Sequence, residues 1–578
     1  MMRFPSFFKK ETPVAFLLIA IIISVSLLPD ISKWQHTPIG HVYQPIHNNL
    51  IDYAVYINFI KQGLDGNTKL INRFTTEPHV GTVPSFFFLG LGLLGKAVGI
   101  TDPNLMYHVS RVGLGILFAL TSYWFIRRYV KGKAERLIAL FLILFSGSFP
   151  IIKWSNNAFT VSTYLSWWSG IDPVIRATFL PHHLAGHILM LITIFLITQI
   201  ASTNDRFVKV KSFRGDIPFL LSIRQLADQS RRSYTRSNSD SEGYNGKRIL
   251  LAAGTGFLAG LFHPPSLVLP LLILPIWLIL TKQWKTLIIC MLFLPLWGLS
   301  ICLLTWQFTV FPWTDIRAYE RLMFAIPVWE YCLALGPILP LAAGGAIIKR
   351  KQPLTLLWML WIIIPILSIP VSRLVSESSI PYFRLFTISN VRLLQMAIVV
   401  PSAILSAASL MWVFHRFGKI TGSVLLILFI SLTILPYPYT IIKQSTHLFG
   451  GLDYQYPTIG WMKAVGSLAG GNGAVLSLPF AGCTITATSN RTVYVGREVY
   501  TINLGQKTDL AFQFYQGTMP LCQAYNLLSD ARITDIFYGY DEKTAGGDFT
   551  RYPFLQLKKD FKDTQIFSFS EKKPMECP

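Results

Sequence analysis

Long apolar runs alternate with short polar segments along the first three quarters of the chain, beginning at residues 14–28. Many of the runs approach the roughly 17–25 residues that a helix needs to cross about 30 Å of hydrocarbon. A helix suits that environment because it satisfies its backbone hydrogen bonds internally. The pattern therefore predicts a mostly α-helical, polytopic membrane protein. Since Arg3, Lys9 and Lys10 precede the first run and no small-residue cleavage site follows it, 14–28 is predicted to be a retained span.

The distribution of charged residues predicts which segments between the apolar runs face the cytoplasm. Only 14% of the residues are charged, against about 25% in soluble domains, and the mean hydropathy is +0.45. The net charge of +22 lies mostly in segments between apolar runs, which follows the positive-inside rule and does not predict a nucleic-acid partner. With a cytoplasmic N-terminus, the alternation predicts about eleven to thirteen crossings of the plasma (inner) membrane. The segments predicted to be cytoplasmic are 127–136, 203–248, 282–285, 349–351 and 415–419.

Three parts of the chain depart from simple alternation. Residues 86–100 are short, apolar and glycine-rich, which predicts a re-entrant or partly inserted helix, with a full span as the alternative. The polar insert 202–247 predicts a disordered cytoplasmic loop. The membrane domain is thus predicted at 1–440, with a first outward loop at 29–84. In 450–578, β-rich runs such as AVLSLPF and ITDIFYGY alternate with helix-like stretches, which predicts a small α/β domain outside the cytoplasm.

The chain lacks several standard catalytic and redox motifs, and their absence removes the usual support for a few classes of function. The chain has no Walker loop, no Rossmann glycine fingerprint after a strand and no HExxH helix, so ATP-driven transport and metalloprotease activity lack their usual signatures. No CxxC or Cys/His zinc pattern is present either. In the terminal domain, Cys483 and Cys522 are predicted either to form a disulfide on an oxidising side or to be two free buried thiols.

The first outward loop concentrates polar residues at the membrane surface. Apolar residues recur there every three or four positions within 47–63, which predicts an amphipathic helix on the bilayer. Asp52 lies beside that stripe, where a carboxylate is either a helix-capping group or a functional one. The residues of the stripe are Leu50, Tyr53, Ile57 and Ile60.

The chain resembles the GT-C fold glycosyltransferases in the order of several motifs. Asp52 and Tyr56 stand in DYAVY after the first span, followed by FTTEPH, FLPHHLAGH, GLFHPPS and, in the terminal domain, RTVYVG. This resemblance implies a GT-C type transmembrane bundle and a sugar donor linked to polyprenyl phosphate. It also implies an acceptor that is a glycan, a lipid or a protein. The first loop lacks an acidic pair and the chain lacks a WWDxG motif, which argues against glycosylation of asparagine.

The chemistry implied by the resemblance assigns roles to first-loop residues. Transfer from a sugar phosphate needs a base for the acceptor hydroxyl and positive groups for the leaving phosphate. Asp52 is the predicted general base and Tyr56 a predicted substrate contact. Glu77 and His79 are predicted to orient the acceptor or to supply a second acid or base, with an ordinary loop ion pair as the alternative.

Basic residues at outward span ends are predicted to contact phosphate or sugar. Arg176 and His182 are the first candidates, and interfacial anchoring is the alternative. His183 and His187 would share a helix face, so they could also bind a metal. No third ligand is evident and no metal site is predicted, although a divalent cation stays an alternative. The remaining predicted substrate contacts are His263 and Arg392.

Two other functions fit the same pattern. A transporter or flippase for lipid-linked saccharides would use the outward polar residues to bind cargo, and a non-catalytic scaffold would retain the fold without chemistry. Transporters often place functional charges near the middle of the membrane. Here the candidate residues lie at one predicted face, which favours surface chemistry. The sequence therefore predicts an inverting glycosyltransferase.

Overall fold

The computed structural model describes residues 11–155, 158–165, 170–212, 246–314, 326–377, 398–572 and 574–577. Up to residue 446 it is almost entirely helical, apart from an antiparallel hairpin of β1 (Pro150–Ser155) and β2 (Ala158–Thr163). The helices of this part are Glu11–Gln35, Leu50–Leu64, Phe86–Ala97, Pro103–Tyr129, Lys133–Phe145, Pro173–Arg176, Pro181–Ser212, 246–262, Pro265–Leu280, Trp284–Gln307, Val328–Leu335, Ile338–Ile348, Pro353–Glu377, Val399–Ile434 and Tyr437–Thr446.

Seven helices within the described residues are long and apolar enough to cross a membrane, or eight if one bent pair counts as a span. The chain is therefore a multi-pass membrane protein, as predicted, whereas the predicted number of crossings is not confirmed. The seven segments are Glu11–Gln35, Pro103–Tyr129, Pro181–Thr203, Trp284–Gln307, Pro353–Val371, Val399–Gly418 and Ile420–Thr446.

Two breaks between these helices have a local cause. Val328–Leu335 and Ile338–Ile348 meet at 83°, and Gly336 between them has a φ of +68°. Gly418 has a φ of +81° and separates Val399–Gly418 from Ile420–Thr446. Both positions lie in the left-handed region, where glycine is the favoured residue. Glycine thus sets where these helices bend or stop.

The predicted disordered loop 202–247 is helical at its ends. The helix that starts at Pro181 continues to Ser212, and residues 246–262 are helical. Residues 213–245 lie outside the described residues.

The contacts divide the chain into two compact units. The first unit comprises Met1–Ser26, Gly113–Leu303 and Phe324–Pro438. Apart from the hairpin, the regular secondary structure of its described residues is helical. The second comprises Leu27–Val112, Leu304–Met323 and Tyr439–Pro578. Its buried core joins Phe59 of the segment 29–84 with Trp313 and with Tyr500 of the terminal domain. The domain boundaries predicted from the sequence, 1–440 and 450–578, stay a prediction.

Within the second unit, the helix Phe86–Ala97 packs closely on Leu50–Leu64. It has 12 residues, about 18 Å at 1.5 Å per residue, which is short of the about 30 Å of a bilayer core. This agrees with the short helix predicted for 86–100 and not with the alternative of a full span. The two helices touch at Gly63 and Gly92, where a Cβ on Gly63 would lie 2.6 Å from the Leu89 carbonyl oxygen.

We expect Gly92→Ala to destabilise this helix pair. An added Cβ would overlap the carbonyl oxygen of Ile60 and lie 2.8 Å from the Cα of Gly63, and neither backbone can yield locally. Overpacking of this kind costs about 1–3 kcal/mol. Gly90→Ala on the same helix is the matched control, because its Cβ meets nothing within 4 Å. Thermal unfolding in detergent should show a lower Tm for Gly92→Ala alone; equal Tm values would contradict the close packing.

The terminal part of the chain is an α/β unit, as predicted. Its five-stranded sheet has the order β4-β3-β5-β7-β6, in which β3 pairs parallel with β4 and β5, and β7 pairs antiparallel with β5 and β6. The strands are β3 (Ala474–Leu476), β4 (Thr492–Val493), β5 (Ile533–Tyr538), β6 (Leu555–Asp560) and β7 (Gln565–Phe569). The α-helices are Leu452–Gln455, Ile459–Ser467, Pro479–Ser489, Leu504–Tyr515, Leu521–Asp530 and Tyr540–Thr544, and the short 3-10 helices are Glu498–Tyr500 and Phe549–Arg551.

Of the two alternatives for Cys483 and Cys522, a disulfide between them is wrong. Cys522 forms a disulfide with Cys577, with their Cα atoms 5.2 Å apart, and Cys483 is a free, buried thiol on the helix Pro479–Ser489. Cys577 reaches Cys522 because the end of the chain passes the start of the helix Leu521–Asp530. The alternative of two free thiols holds for Cys483 only.

We expect alkylation to separate these cysteines. Burial raises the pKa of the Cys483 thiol to about 12, so little reactive thiolate is present at neutral pH. Peptide mapping of non-reduced protein should find Cys522 linked to Cys577, and Cys483 should react with iodoacetamide only after denaturation. Rapid labelling of Cys522 in the native, non-reduced protein would contradict the pairing.

Candidate active site

Asp52 lies in the first turn of the helix Leu50–Leu64, held by the residue that caps it. The Asn49 side-chain oxygen accepts from the Asp52 backbone N–H at 2.6 Å, and its amide donates to Asp52 Oδ2 at 2.8 Å. A carboxylate at this position is also favoured by the helix dipole. The side chain is 31% exposed, so capping fixes its position and leaves part of it accessible.

The remainder of this helix is more buried than an interfacial helix would be. The predicted stripe packs inward, but Asn58 and Gln62 are buried as well. Asn58 donates to the Thr486 carbonyl at 3.0 Å, and Gln62 exchanges hydrogen bonds of 2.8 and 2.9 Å with the backbone of Ile71. The helix is therefore a packed element of the second unit.

Arg497 of the terminal domain forms an ion pair with Asp52. Its Nη2 donates to Asp52 Oδ1, although 445 residues separate the two. The guanidinium carbon lies 4.6 Å from the centre of the Tyr500 ring, and the side chain is 15% exposed. Burial would lower the pKa of Arg497, but the Asp52 charge and the neighbouring tyrosines raise it. The site thus contains a permanent cation beside the candidate base.

Arg497 was not among the residues predicted for the site. The RTVYVG motif directly precedes it, and Gly496 ends that motif. One feature of the sequence could have identified Arg497 as a site residue. It follows a predicted strand closely, and α/β sheets bind ligands at the carboxyl ends of their parallel strands.

An aromatic group lies one helical turn beyond Asp52. The Tyr56 ring stacks on Phe88 with 4.3 Å between centroids and is nearly parallel to Tyr107 at 6.3 Å. Tyr53 meets Tyr107 edge-on at 5.1 Å. Tyr56 is half-buried, and its spacing of four residues from Asp52 places both on one face of the helix. The predicted base and predicted substrate contact are therefore neighbours.

Glu77 is engaged in the ion pair named above as the alternative. Lys507 Nζ lies 2.7 Å from Glu77 Oε1 and 2.9 Å from Oε2, and Thr75 Oγ1 also donates to the carboxylate. Burial would raise the pKa of Glu77, but the Lys507 and Thr75 hydrogen bonds outweigh it and lower the pKa. The group is therefore a carboxylate at neutral pH, which disfavours a role as proton donor, and its catalytic role stays a prediction.

His79 organises the loop backbone. Its Nε2 accepts from the Asn72 N–H at 2.9 Å, so Nδ1 is the donor to the Glu77 carbonyl at 2.7 Å. This pattern corresponds to one neutral tautomer. Contact of His79 with an acceptor stays a prediction.

The predicted histidines of the first unit form a cluster. His183 and His263 have ring centres 4.0 Å apart, His182 and His183 4.4 Å, and His187 and His263 5.4 Å. Gly186 makes this possible, because a Cβ there would lie 2.6 Å from the His263 Cβ. Within the described residues, no group of three or more His, Cys, Asp or Glu side chains could hold a metal ion.

Two predicted phosphate ligands have different outcomes. Arg176 is buried, and its guanidinium donates to the carbonyl oxygens of Ile143, Ser146 and Ile171 at 2.8–3.0 Å. Those bonds tie the loop to the end of a neighbouring helix, so the substrate contact stays a prediction without geometric support. Arg392 lies outside the described residues.

Solved structures share this fold. An apo oligosaccharyltransferase of Archaeoglobus fulgidus matches with a TM-score of 0.52 and 12% identity, over 97% of this chain and 75% of that chain. The oligosaccharyltransferase AglB of the same organism, in complex with an inhibitory peptide and a dolichol-phosphate, matches with 0.50 and 12%, over 99% and 76%. ArnT of Cupriavidus metallidurans in the apo state matches with 0.50 and 11%, over 98% and 99%. No protein-family model and no curated protein matches the sequence.

Proposed function

Since the chain has the GT-C fold, we propose that it is a membrane glycosyltransferase that takes a sugar from a polyprenyl-phosphate-linked donor. The observation that carries the proposal is Asp52, a partly exposed carboxylate fixed at a helix start beside an arginine and an aromatic group. The dolichol-phosphate in the AglB complex supports a lipid phosphate as a ligand of this fold. The acceptor is a glycan, a lipid or a protein outside the cytoplasm.

The proposed reaction is a single displacement. Asp52 takes the proton of the acceptor hydroxyl as its oxygen attacks the anomeric carbon. The bond between that carbon and the phosphate oxygen breaks, and polyprenyl phosphate leaves with the bonding electrons. Because the acceptor attacks opposite the leaving phosphate, the anomeric configuration inverts. Tyr56, four residues from the base, is proposed to contact the sugar.

The disulfide supports the proposed orientation. A bond between Cys522 and Cys577 persists in an oxidising compartment and is rare in the cytoplasm. The terminal domain is therefore proposed to lie outside the cytoplasm, with the N-terminus inside and the helices in the plasma (inner) membrane. Asp52 is proposed to lie on the same outer side, since it contacts Arg497 of the terminal domain.

A divalent cation is not assigned a step. The resemblance to the fold family permits a divalent cation, but the described residues include no group of three or more His, Cys, Asp or Glu side chains that could hold it. In the proposed reaction the positive charge near the leaving phosphate comes from the protein.

Reconstituted protein should transfer labelled sugar from polyprenyl-phosphate donors to cell-envelope acceptors. The assay uses proteoliposomes, a panel of donor sugars and mass analysis of the product. Glycosylated product with inverted configuration would support the proposal. Movement of the intact donor between leaflets without product would instead identify a transporter, and donor binding without either event would identify a scaffold.

A further inference from the structure

We propose that Arg497 binds the phosphate of the lipid-linked donor, and that this phosphate replaces Asp52 as its partner. The inference rests on the proposed function and adds a residue of the terminal domain to its site. Donor binding would then release the carboxylate that accepts the proton.

The turn that carries Arg497 is built to hold it at this place. β4 ends at Val493, and residues 494–496 lead to Arg497. The Gly496 N–H donates to Thr501 Oγ1 at 3.0 Å, and that hydroxyl donates to the Phe74 carbonyl at 2.8 Å. A Cβ on Gly496 would lie 3.0 Å from the Phe74 ring, so this glycine permits a close approach. The first loop and the terminal domain therefore fix the guanidinium together.

The Arg497 guanidinium has a hydrogen-bond donor that is not engaged. Nη2 donates to Asp52, whereas Nε is buried and has no hydrogen-bond partner within the described residues. A buried donor without a partner has lost its water without gaining a hydrogen bond, so a ligand that supplies an acceptor is favoured. A phosphate offers two oxygens at the spacing of the guanidinium fork and can bind Nε and Nη2 together. Tyr500 supports the plane of the group from one side.

The charge change of the reaction favours this assignment. The donor is a phosphate diester with one negative charge, and the departing polyprenyl phosphate is a monoester that gains a second charge. A fixed cation therefore interacts more strongly with the transition state than with the bound donor, which is what catalysis requires. Asp52, relieved of the ion pair, is then free to accept the acceptor proton.

Arg551 provides a matched control in the same domain. Its guanidinium carbon lies 5.3 Å from the Tyr552 ring, and Nη2 donates to the Met519 carbonyl at 2.8 Å. Like Arg497, it lies beside a tyrosine ring. Unlike Arg497, it forms no ion pair with a carboxylate among the described residues.

The test measures how strongly the protein prefers a lipid phosphate to the matching alcohol. Full-length protein in nanodiscs is titrated with geranylgeranyl phosphate, geranylgeraniol and inorganic phosphate. We expect Arg497→Met to weaken the affinity for the phosphate by about 10-fold or more, with unchanged affinity for the alcohol. Arg497→Lys should recover part of the loss, and Arg551→Met should match wild type. Thermal unfolding of each variant separates binding from folding.

Each outcome decides one of the two proposals. An Arg497→Met protein that folds and still prefers the phosphate as wild type does would overturn the role of Arg497, even if wild type transfers sugar. If the preference depends on Arg497 but wild type transfers no sugar, the phosphate site stands and the transferase proposal fails. Equal competition by inorganic phosphate would assign the site to free phosphate and overturn the lipid donor as its ligand.

Discussion

Asp52→Asn is expected to reduce sugar transfer by about 10²–10⁴-fold, the usual contribution of a general base. Asparagine keeps the size of the side chain and can still accept from Asn49, but it cannot take the acceptor proton. Donor binding should persist, because Arg497 keeps its charge and Tyr56 is unchanged. The measurement is single-turnover transfer in proteoliposomes at saturating donor, which isolates the chemical step from affinity.

Asp65→Asn is the matched control for this variant. Asp65 caps the other end of the same helix, and its carboxylate bonds to Lys61 at 2.8 Å and to Asn490 at 2.9 Å. The Asp65→Asn protein should transfer sugar at the wild-type rate. Asp52→Glu tests position, since one added methylene moves the carboxylate away from Asn49 and should also impair transfer. Full activity of Asp52→Asn would remove Asp52 from the mechanism.

The helical elements could be predicted because their signal is local. Apolar runs and charged loops report on each segment by itself, and the strands within AVLSLPF and ITDIFYGY correspond to β3 and β5. The number of crossings is harder to derive. Short apolar helices such as Phe86–Ala97 resemble spans in composition but pack inside the second unit. The length of a helix and the segments it packs against, rather than its hydrophobicity, distinguish a membrane span from a short packed helix.

The first-loop helix shows what periodicity leaves out. The predicted stripe is buried, but so are the polar residues Asn58 and Gln62, because they bond to the backbone of other segments. Hydrophobicity alone assigns such residues to solvent. A buried polar residue is recognisable only when its partner is known, and here Thr486 lies 428 residues further along the chain.

Only the part of the site that lies close together in the sequence could be predicted. Asp52 and Tyr56 are four residues apart, so a helix brings them together. Arg497 comes from a different part of the chain, and no local pattern links it to the first loop. Arg176 shows the opposite case: an arginine near a span end was predicted to contact phosphate or sugar, and its guanidinium donates to three backbone carbonyls. The residue type is the same, and only the partners differ.

A second large effect is expected in the terminal domain, from Asp535→Ala. Asp535 and Arg491 are buried, with side chains only 3% and 4% exposed, and their Oδ2 and Nη2 atoms lie 2.9 Å apart. Lys558 Nζ binds the other carboxylate oxygen at 2.6 Å. Removing the carboxylate leaves a buried guanidinium without its counter-charge, which costs about 3–5 kcal/mol. Hydrogen exchange of β3, β4 and β5 in the full chain should show the loss of protection.

Acid should have the same effect on wild type, which distinguishes loss of charge from loss of packing. Burial would raise the pKa of Asp535, but the hydrogen bonds from Lys558 and Arg491 outweigh it and lower the pKa. The stabilisation is therefore complete above the unfolded value of about 3.9 and is lost as pH falls through the lower folded pKa. The protection of wild type and Asp535→Ala should converge there, whereas Asp530→Ala, an exposed control, should follow wild type throughout. A constant difference between wild type and Asp535→Ala down to the lowest pH would instead attribute the loss to packing.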